Sequence, residues 1–143
     1  MPWDVEWEPH YGEKRFDLPA KGRQNRGRLA EDAVARHLWL RGYRLLGRNV
    51  RNRRGEIDIV AEGAGRLRFI EVRSYTEGHA QPSAHLTRAK RLSILHATQR
   101  YVARRPEFAD ASRILELAEV RFNAAGRVVD INFIAIDVGP LHR

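Results

Sequence analysis

The sequence predicts a single α/β domain, a mixed sheet flanked by helices, with its elements in the order α-β-β-β-α-β-β. Two segments carry apolar residues at helical spacing, and five short segments alternate branched or aromatic residues with polar ones. Links containing glycine or asparagine separate the strands. That order reads as a sheet with helices packed on it. The 143 residues give room for one domain with a proper core, and not comfortably for two.

Residues 1–22 show neither period and end in Pro19-Ala20-Lys21-Gly22. They read as an irregular N-terminal tail, with Trp3, Trp7 and Phe16 as its candidate docking side chains, ahead of a folded domain over 23–143. A helix over 25–41 places Ala30, Ala33, Val34, His37 and Leu38 on one face and ends at Gly42. His37 on that face reads as a packed histidine rather than a ligand. Leu45, Leu46 and Val50 mark the first strand within Tyr43 to Arg51, and Asn52-Arg53-Arg54-Gly55 supplies a turn. The strands 56–62 and 67–73 follow, joined through Gly63-Ala64-Gly65-Arg66 as a hairpin. Ser74 to Leu86 is polar, holds Gly78 and Pro82, and reads as a loop. Thr87 is placed to cap a helix over 88–104, where Leu92, Leu95, Thr98, Tyr101 and Val102 share a face. Two final strands, 113–123 and 128–138, are joined around Ala124-Ala125-Gly126-Arg127.

Composition narrows the function. Lys and Arg number 26 against 18 acids, a formal net charge of +8. Most of the cations are arginines, whose planar fork suits phosphate. A chain so charged attracts polyanions through counterion release, and nucleic acid is the leading partner. With no cysteine there is neither a disulfide framework nor a thiolate metal site. No apolar run approaches the roughly 20 residues of a membrane span. Met1 to Glu8 lacks the basic start and apolar stretch of a secretory signal. The expectation is a cytoplasmic protein that does not enter a membrane.

The hairpin carries the chemistry. Side chains alternate along a strand, so Glu56, Asp58 and Val60 share one face, as do Phe69, Glu71 and Arg73. A symmetric four-residue turn sets Asp58 opposite Glu71 and Glu56 opposite Arg73. Two facing carboxylates repel, by roughly 0.2–1 kcal/mol for typical pairs, and a cation between them removes the penalty. Magnesium suits such a place, because it is a hard ion that takes one or two carboxylates with water and phosphate oxygens. The Val72 carbonyl is a further candidate ligand, and the basic side chain of Arg73 would lie beside the metal and the attacked phosphate. These are the parts for metal-assisted phosphodiester hydrolysis. The same residues also allow a plain ion pair between Glu56 and Arg73, with the other acids facing solvent, and a one-residue slip would change every pairing.

Gly55-Glu56-Ile57-Asp58-Ile59-Val60-Ala61 followed by Phe69-Ile70-Glu71-Val72-Arg73 resembles the signature of the YraN-like family of predicted endonucleases. Gly27-Arg28-Leu29-Ala30-Glu31, Leu40-Arg41-Gly42-Tyr43, Arg48-Asn49, Thr87, Lys90-Arg91 and Tyr101 match in the right order, so the likeness spans residues 27–103. That family resembles the PD-(D/E)XK nucleases and the archaeal Holliday-junction resolvases. The resemblance implies a restriction-endonuclease-like fold, Mg or Mn as cofactor, and DNA, including branched DNA, as substrate. It implies Asp58 and Glu71 as metal carboxylates and Glu31 as a third acid. Glu31, followed by Asp32, equally suits the dipole at the start of a helix. Dimerisation would let two such sites cut two strands, but the sequence carries no interface signature.

One position departs from the family pattern, which has lysine where this chain has Arg73. Lysine can lose a proton when buried, whereas arginine stays charged and is a poor general base. Lys90 is the candidate to supply the amine if the second helix projects it over the same face. Arg51, Arg53 and Arg54 flank the acidic hairpin and are the first candidates for phosphate positioning, with Lys90 and Arg91 next. Trp39 and Tyr75 could stack on bases, although Trp39 reads better as core or interface. Three functions therefore stand open: a metal-dependent endonuclease, a non-cleaving nucleic-acid-binding module, and a module that docks an acidic protein partner.

Overall fold

A computed structural model describes residues 22–81 and 86–138. Helix α1 (Gly22–Leu40) leads into three strands, β1 (Arg44–Asn52), β2 (Gly55–Gly63) and β3 (Arg66–Thr76). Helix α2 (Arg88–Ala103) and a 3-10 turn (Pro106–Phe108) precede β4 (Ser112–Phe122) and β5 (Val128–Ala135). The five strands form one sheet in chain order. Three of its pairings are antiparallel; β3 and β4 run parallel, with α2 as the crossover between them. This is the expected mixed sheet and element order. Residues 1–21 of the expected tail, with its aromatic residues, lie outside the described residues, as does Pro82 of the expected loop; Gly22, the last residue of that tail, instead opens α1. Among the described residues no helix is long and apolar enough to cross a membrane.

The local signals explain the element ends. Gly42, at φ +88°, stops α1 while the Tyr43 amide donates back to the Leu38 carbonyl at 3.1 Å. The Thr87 hydroxyl accepts the Lys90 amide at 3.1 Å and so caps α2. Two expected boundaries need correction: the last strand, expected to reach Val138, ends at Ala135, and one loop is shorter than its composition suggests. The segment read as a loop from Ser74 stays in the sheet to Thr76, because Ser74, Tyr75 and Thr76 pair with Val120, Arg121 and Phe122 of β4. That partner strand is distant in sequence, so polar composition alone suggested a loop.

Each helix covers its own core. Ala30, Val34, Ala35 and Leu38 of α1 pack with Leu45, Ile59, Ala61, Ile70 and Val120. Ala97, Tyr101 and Val102 of α2 pack with Ile57, Val60, Leu67 and Phe69. His37 lies half-buried against Phe133, ring centroids 5.4 Å apart, as its packed reading required. Trp39 likewise packs on the α1 core.

The strands change face at one place. Ile59 and Val60 follow alternation, one toward each helix, but Ile57 joins Val60 on the α2 side instead of Ile59. Its partner across β1, Val50, does the same. The register, Arg48 with Ile59 and Val50 with Ile57, leaves Asn49 across from Asp58. Asn49 has φ +50°, a left-handed conformation that asparagine tolerates better than most residues. The β1–β2 ribbon therefore turns over at Asn49 and Asp58. Beyond the twist its turn seats on α2: Asn52 donates to the Ala97 carbonyl at 3.1 Å and Ser93 to the Arg54 carbonyl at 3.3 Å. Gly55 makes this approach feasible, since a Cβ there would stand 2.5 Å from the Ser93 hydroxyl.

Candidate metal centre

The β2–β3 hairpin has the register the symmetric turn predicts, from Gly63 with Arg66 to Ile59 with Ile70. The regular ladder ends there, one step before Asp58 and Glu71. At that step an Asp58 oxygen accepts the Val72 amide at 2.8 Å, so the carboxylate lies between the two strands. A strand residue aims its N–H and C=O at the same neighbour. The Val72 carbonyl consequently shares this edge with Asp58.

Glu71, 6% exposed, is the second carboxylate. One of its oxygens takes the Arg73 Nε at 2.9 Å and lies 3.6 Å from the Lys90 ammonium. Lys90 thus reaches from α2 to the acid on β3. Burial is the main cause that raises the Asp58 carboxyl to about 8, and the Glu71 charge is the next. The Val72 amide works in the opposite direction, and the more distant Glu31 and Glu56 add to the rise. At neutral pH this site therefore holds a proton unless a cation takes its place.

Glu31 approaches from the other helix but is engaged elsewhere. It receives Arg48 and Asn49 at 3.3 Å each, while Arg48 also bonds the neighbouring Asp32 at 2.7 Å. Burial outweighs Arg48 and raises the Glu31 carboxyl above its ordinary value. Glu31 stands in the middle of α1, which begins at Gly22, so its reading as a partner for the helix dipole does not hold. Glu56 does not meet Arg73, because the β2–β3 ladder has ended before that level. It instead faces Arg51 of β1 at 3.5 Å.

The remaining candidates divide between two places. Arg91 turns back to the Leu86 carbonyl at 2.8 Å, bracing the start of α2. Arg53 and Arg54 are exposed on the β1–β2 turn; Arg53 lines a cleft with the end of α2, while the Arg54 carbonyl meets Ser93 in the first half of that helix. Arg48 and Asn49 tie Glu31 to the strand twist beside Asp58, a role that their spacing in the sequence does not reveal. The left-handed tolerance of asparagine was the one signal available for them.

Among the described residues no group of three or more His, Asp or Glu side chains gathers to hold a metal. The available donors are Asp58, Glu71 and the Val72 carbonyl. That set fits a hard divalent ion, which commonly uses one or two carboxylates and completes its shell with water and phosphate. It does not fit zinc, which seeks three or four nitrogen, sulfur or carboxylate ligands.

The sequence model of the uncharacterised protein family UPF0102 matches residues 30–131. A UPF0102 protein of Clostridium kluyveri is 35% identical over 109 residues, covering 76% of this chain and 88% of that protein. One from Dechloromonas aromatica is 41% identical over 83 residues, 57% of this chain and 69% of its own length. A relative in Chlorobaculum tepidum is 41% identical over 78 residues, 54% of this chain and 60% of that protein, so less than two thirds of its length is spanned. The match runs from α1 into β5 and takes in Asp58, Glu71 and Lys90. On both the family model and these relatives, the chain belongs to the UPF0102 family.

Proposed function

We propose that this protein is a divalent-metal-dependent nuclease-like protein that binds DNA in the cytoplasm and hydrolyses phosphodiester bonds at the Asp58–Glu71 site. The observation that carries the reading is the pair of acids at the open step of the β2–β3 ladder, with two cations on the Glu71 side. Asp58 and Glu71 would hold Mg or Mn together with the Val72 carbonyl. The ion, when bound, supplies Lewis-acid charge at the phosphate and makes water a better nucleophile. Arg73 remains cationic and offsets charge that develops on the phosphate oxygens. Lys90, on the same carboxylate, orients the attacking water and shares that charge. The likeness to resolvases extends the substrate to branched DNA.

A second reading, a module that binds nucleic acid without cutting it, is favoured by the Arg73 hydrogen bond at 2.9 Å, which occupies a Glu71 oxygen that a metal would need. Cleavage of linear and branched DNA in Mn²⁺, by wild type and Asp58→Ala, separates the two. The nuclease reading expects nicking by wild type alone, and calorimetric metal binding that Asp58→Ala abolishes. Retention on DNA without cleavage or metal heat would establish the binding module instead.

A further inference from the structure

A second concave surface lies at the opposite end of α2. A cleft of about 360 Å³ opens between the β1–β2 turn and the last turn of the helix. Arg51 and Arg53 line one wall, Arg100, Arg104 and Arg105 the other, with Tyr101 at its base. Five cations in one cleft repel one another, and the described residues offer them little compensation. Arg51 has Glu56 at 3.5 Å, but its side chain is 79% exposed. Arg105 donates to the Tyr101 carbonyl at 3.2 Å and stacks 3.7 Å over the Tyr101 ring. The Arg100 Nε is buried without a hydrogen-bond partner. The helix C-terminus attracts cations, by typically 0.3–1 kcal/mol each, but its partial charge is about half an elementary unit. It cannot neutralise five arginines.

We propose that this cleft grips the phosphate backbone of nucleic acid at a distance from the acidic site. The inference rests on the proposed nuclease reading only for the identity of the polymer. Lys90 and the arginines from Arg100 to Arg104 are separated by about 15–20 Å along the helix axis, at 1.5 Å per residue. A duplex strand advances 3.4 Å per phosphate, so the cleft meets the backbone roughly four to six phosphates from the acids. Forked guanidinium groups match phosphate geometry, and no carboxylate is among the residues that line the cleft. The surface thus positions the polymer without reading its bases.

The test is fluorescence anisotropy of a labelled duplex in EDTA across a KCl series. It compares wild type, Arg100→Gln/Arg104→Gln, and the control Arg66→Gln/Arg127→Gln, which removes equal charge elsewhere, with circular dichroism to verify folding. The cleft variant is expected to bind at least about 10-fold more weakly and to lose about one unit of salt slope per phosphate contact removed. The control should retain most of the affinity. Equal losses in cleft and control variants, or a cleft variant that binds like wild type, would overturn the proposal. Displacement of the duplex by inorganic phosphate at constant ionic strength would assign the cleft to a free anion and equally overturn it. Failure of wild type to cleave, with the cleft effect intact, removes the nuclease reading and leaves the cleft standing.

Discussion

The Asp58 carboxylate accepts the Val72 amide at 2.8 Å, so at this level a side chain joins β2 to β3 where a backbone carbonyl would in a regular ladder. The consequence is an acid fixed between strands, beside Glu71 and largely shut off from water. Its carboxyl titrates near 8, raised by burial first and by Glu71 second. From the ordinary carboxylate range up to about 8, the folded protein therefore holds a proton that the unfolded chain has released. Metal-free stability falls as pH rises through that window. Asp58→Asn, which still offers an oxygen to Val72, should flatten the dependence and stabilise the protein at pH 8 by on the order of 1 kcal/mol or more. Urea denaturation in EDTA at a series of pH values measures both effects. A stability that climbs between pH 5 and pH 8 in wild type, through this residue, would contradict the assignment.

The same proton couples to the ion. A divalent cation must displace it, so affinity for Mn²⁺ should rise with pH and level off above about 8, with one proton released at neutral pH. Calorimetry at pH 7 in two buffers of different ionisation enthalpy counts that proton directly. In Glu71→Gln the count should drop, because Asp58 loses the neighbouring charge that helps to raise it. Unchanged proton release in that variant would detach the two acids from a shared site.

Lys90 and Arg73 meet one oxygen of Glu71 but differ in what they can do. If Lys90 orients the attacking water, Lys90→Met should lower cleavage in Mn²⁺ by about 10²-fold, in the range of positioned acid–base and electrostatic groups. Its DNA affinity should change little. Arg73→Lys should retain or increase cleavage, since the ammonium would stand nearer the family pattern. Single-turnover rates at saturating protein distinguish the step from binding. Equal loss of rate and affinity in Lys90→Met would make it a phosphate contact only.

Asn49 is the hinge of the β1–β2 twist, at φ +50° and with its amide 3.3 Å from Glu31. Glycine adopts that conformation freely, whereas a β-branched residue pays about 1–2 kcal/mol there. Asn49→Gly should keep most of the stability and the proton linkage of Asp58. Asn49→Val should lose about 1–2 kcal/mol and move the Asp58 titration, read by pH-dependent denaturation. Equal behaviour of the two variants would mean that the left-handed backbone is not what shapes the site.

How much of this was legible follows from the range of each signal. The hairpin register was set by a four-residue turn, and the Thr87 cap by three residues, so both could be read locally. The buried face of α2 was readable for the same reason, through Leu95, Thr98, Tyr101 and Val102, although Leu92 of that face is only half-buried and Ile94 and Ala97 widen it. The strand twist was not, because Ile57 alternates normally in sequence and changes face only through its pairing with Val50. The reach of Lys90 to Glu71 depends on the α2 crossover, and the gathering of Arg51 and Arg53 with Arg100 depends on where the turn seats. Those are tertiary facts that no spacing encodes. Arg48 was the clearest loss: an arginine on a strand reads as solvent-facing, yet its side chain is 4% exposed.

That burial leads to the sharpest stability contrast in the molecule. Arg48 bonds Asp32 at 2.7 Å and Glu31 at 3.3 Å, joining β1 to α1 inside the fold, and the Asp32 side chain is itself 4% exposed. Removing one member of a buried ion pair strands the other charge, at a cost of about 3–5 kcal/mol. Arg48→Met should therefore fall in that range by urea denaturation at pH 7. Arg44, four residues earlier, pairs with Glu62 while its side chain remains 63% exposed. There solvent screens the pair, and Arg44→Met should cost less than about 1 kcal/mol. In Arg48→Met the acids of α1 also lose their counterion, so Glu31 should titrate higher still and part of the lost stability should return on acidification. A loss in Arg48→Met no greater than that in Arg44→Met would show that α1 is held to the sheet by its apolar face alone.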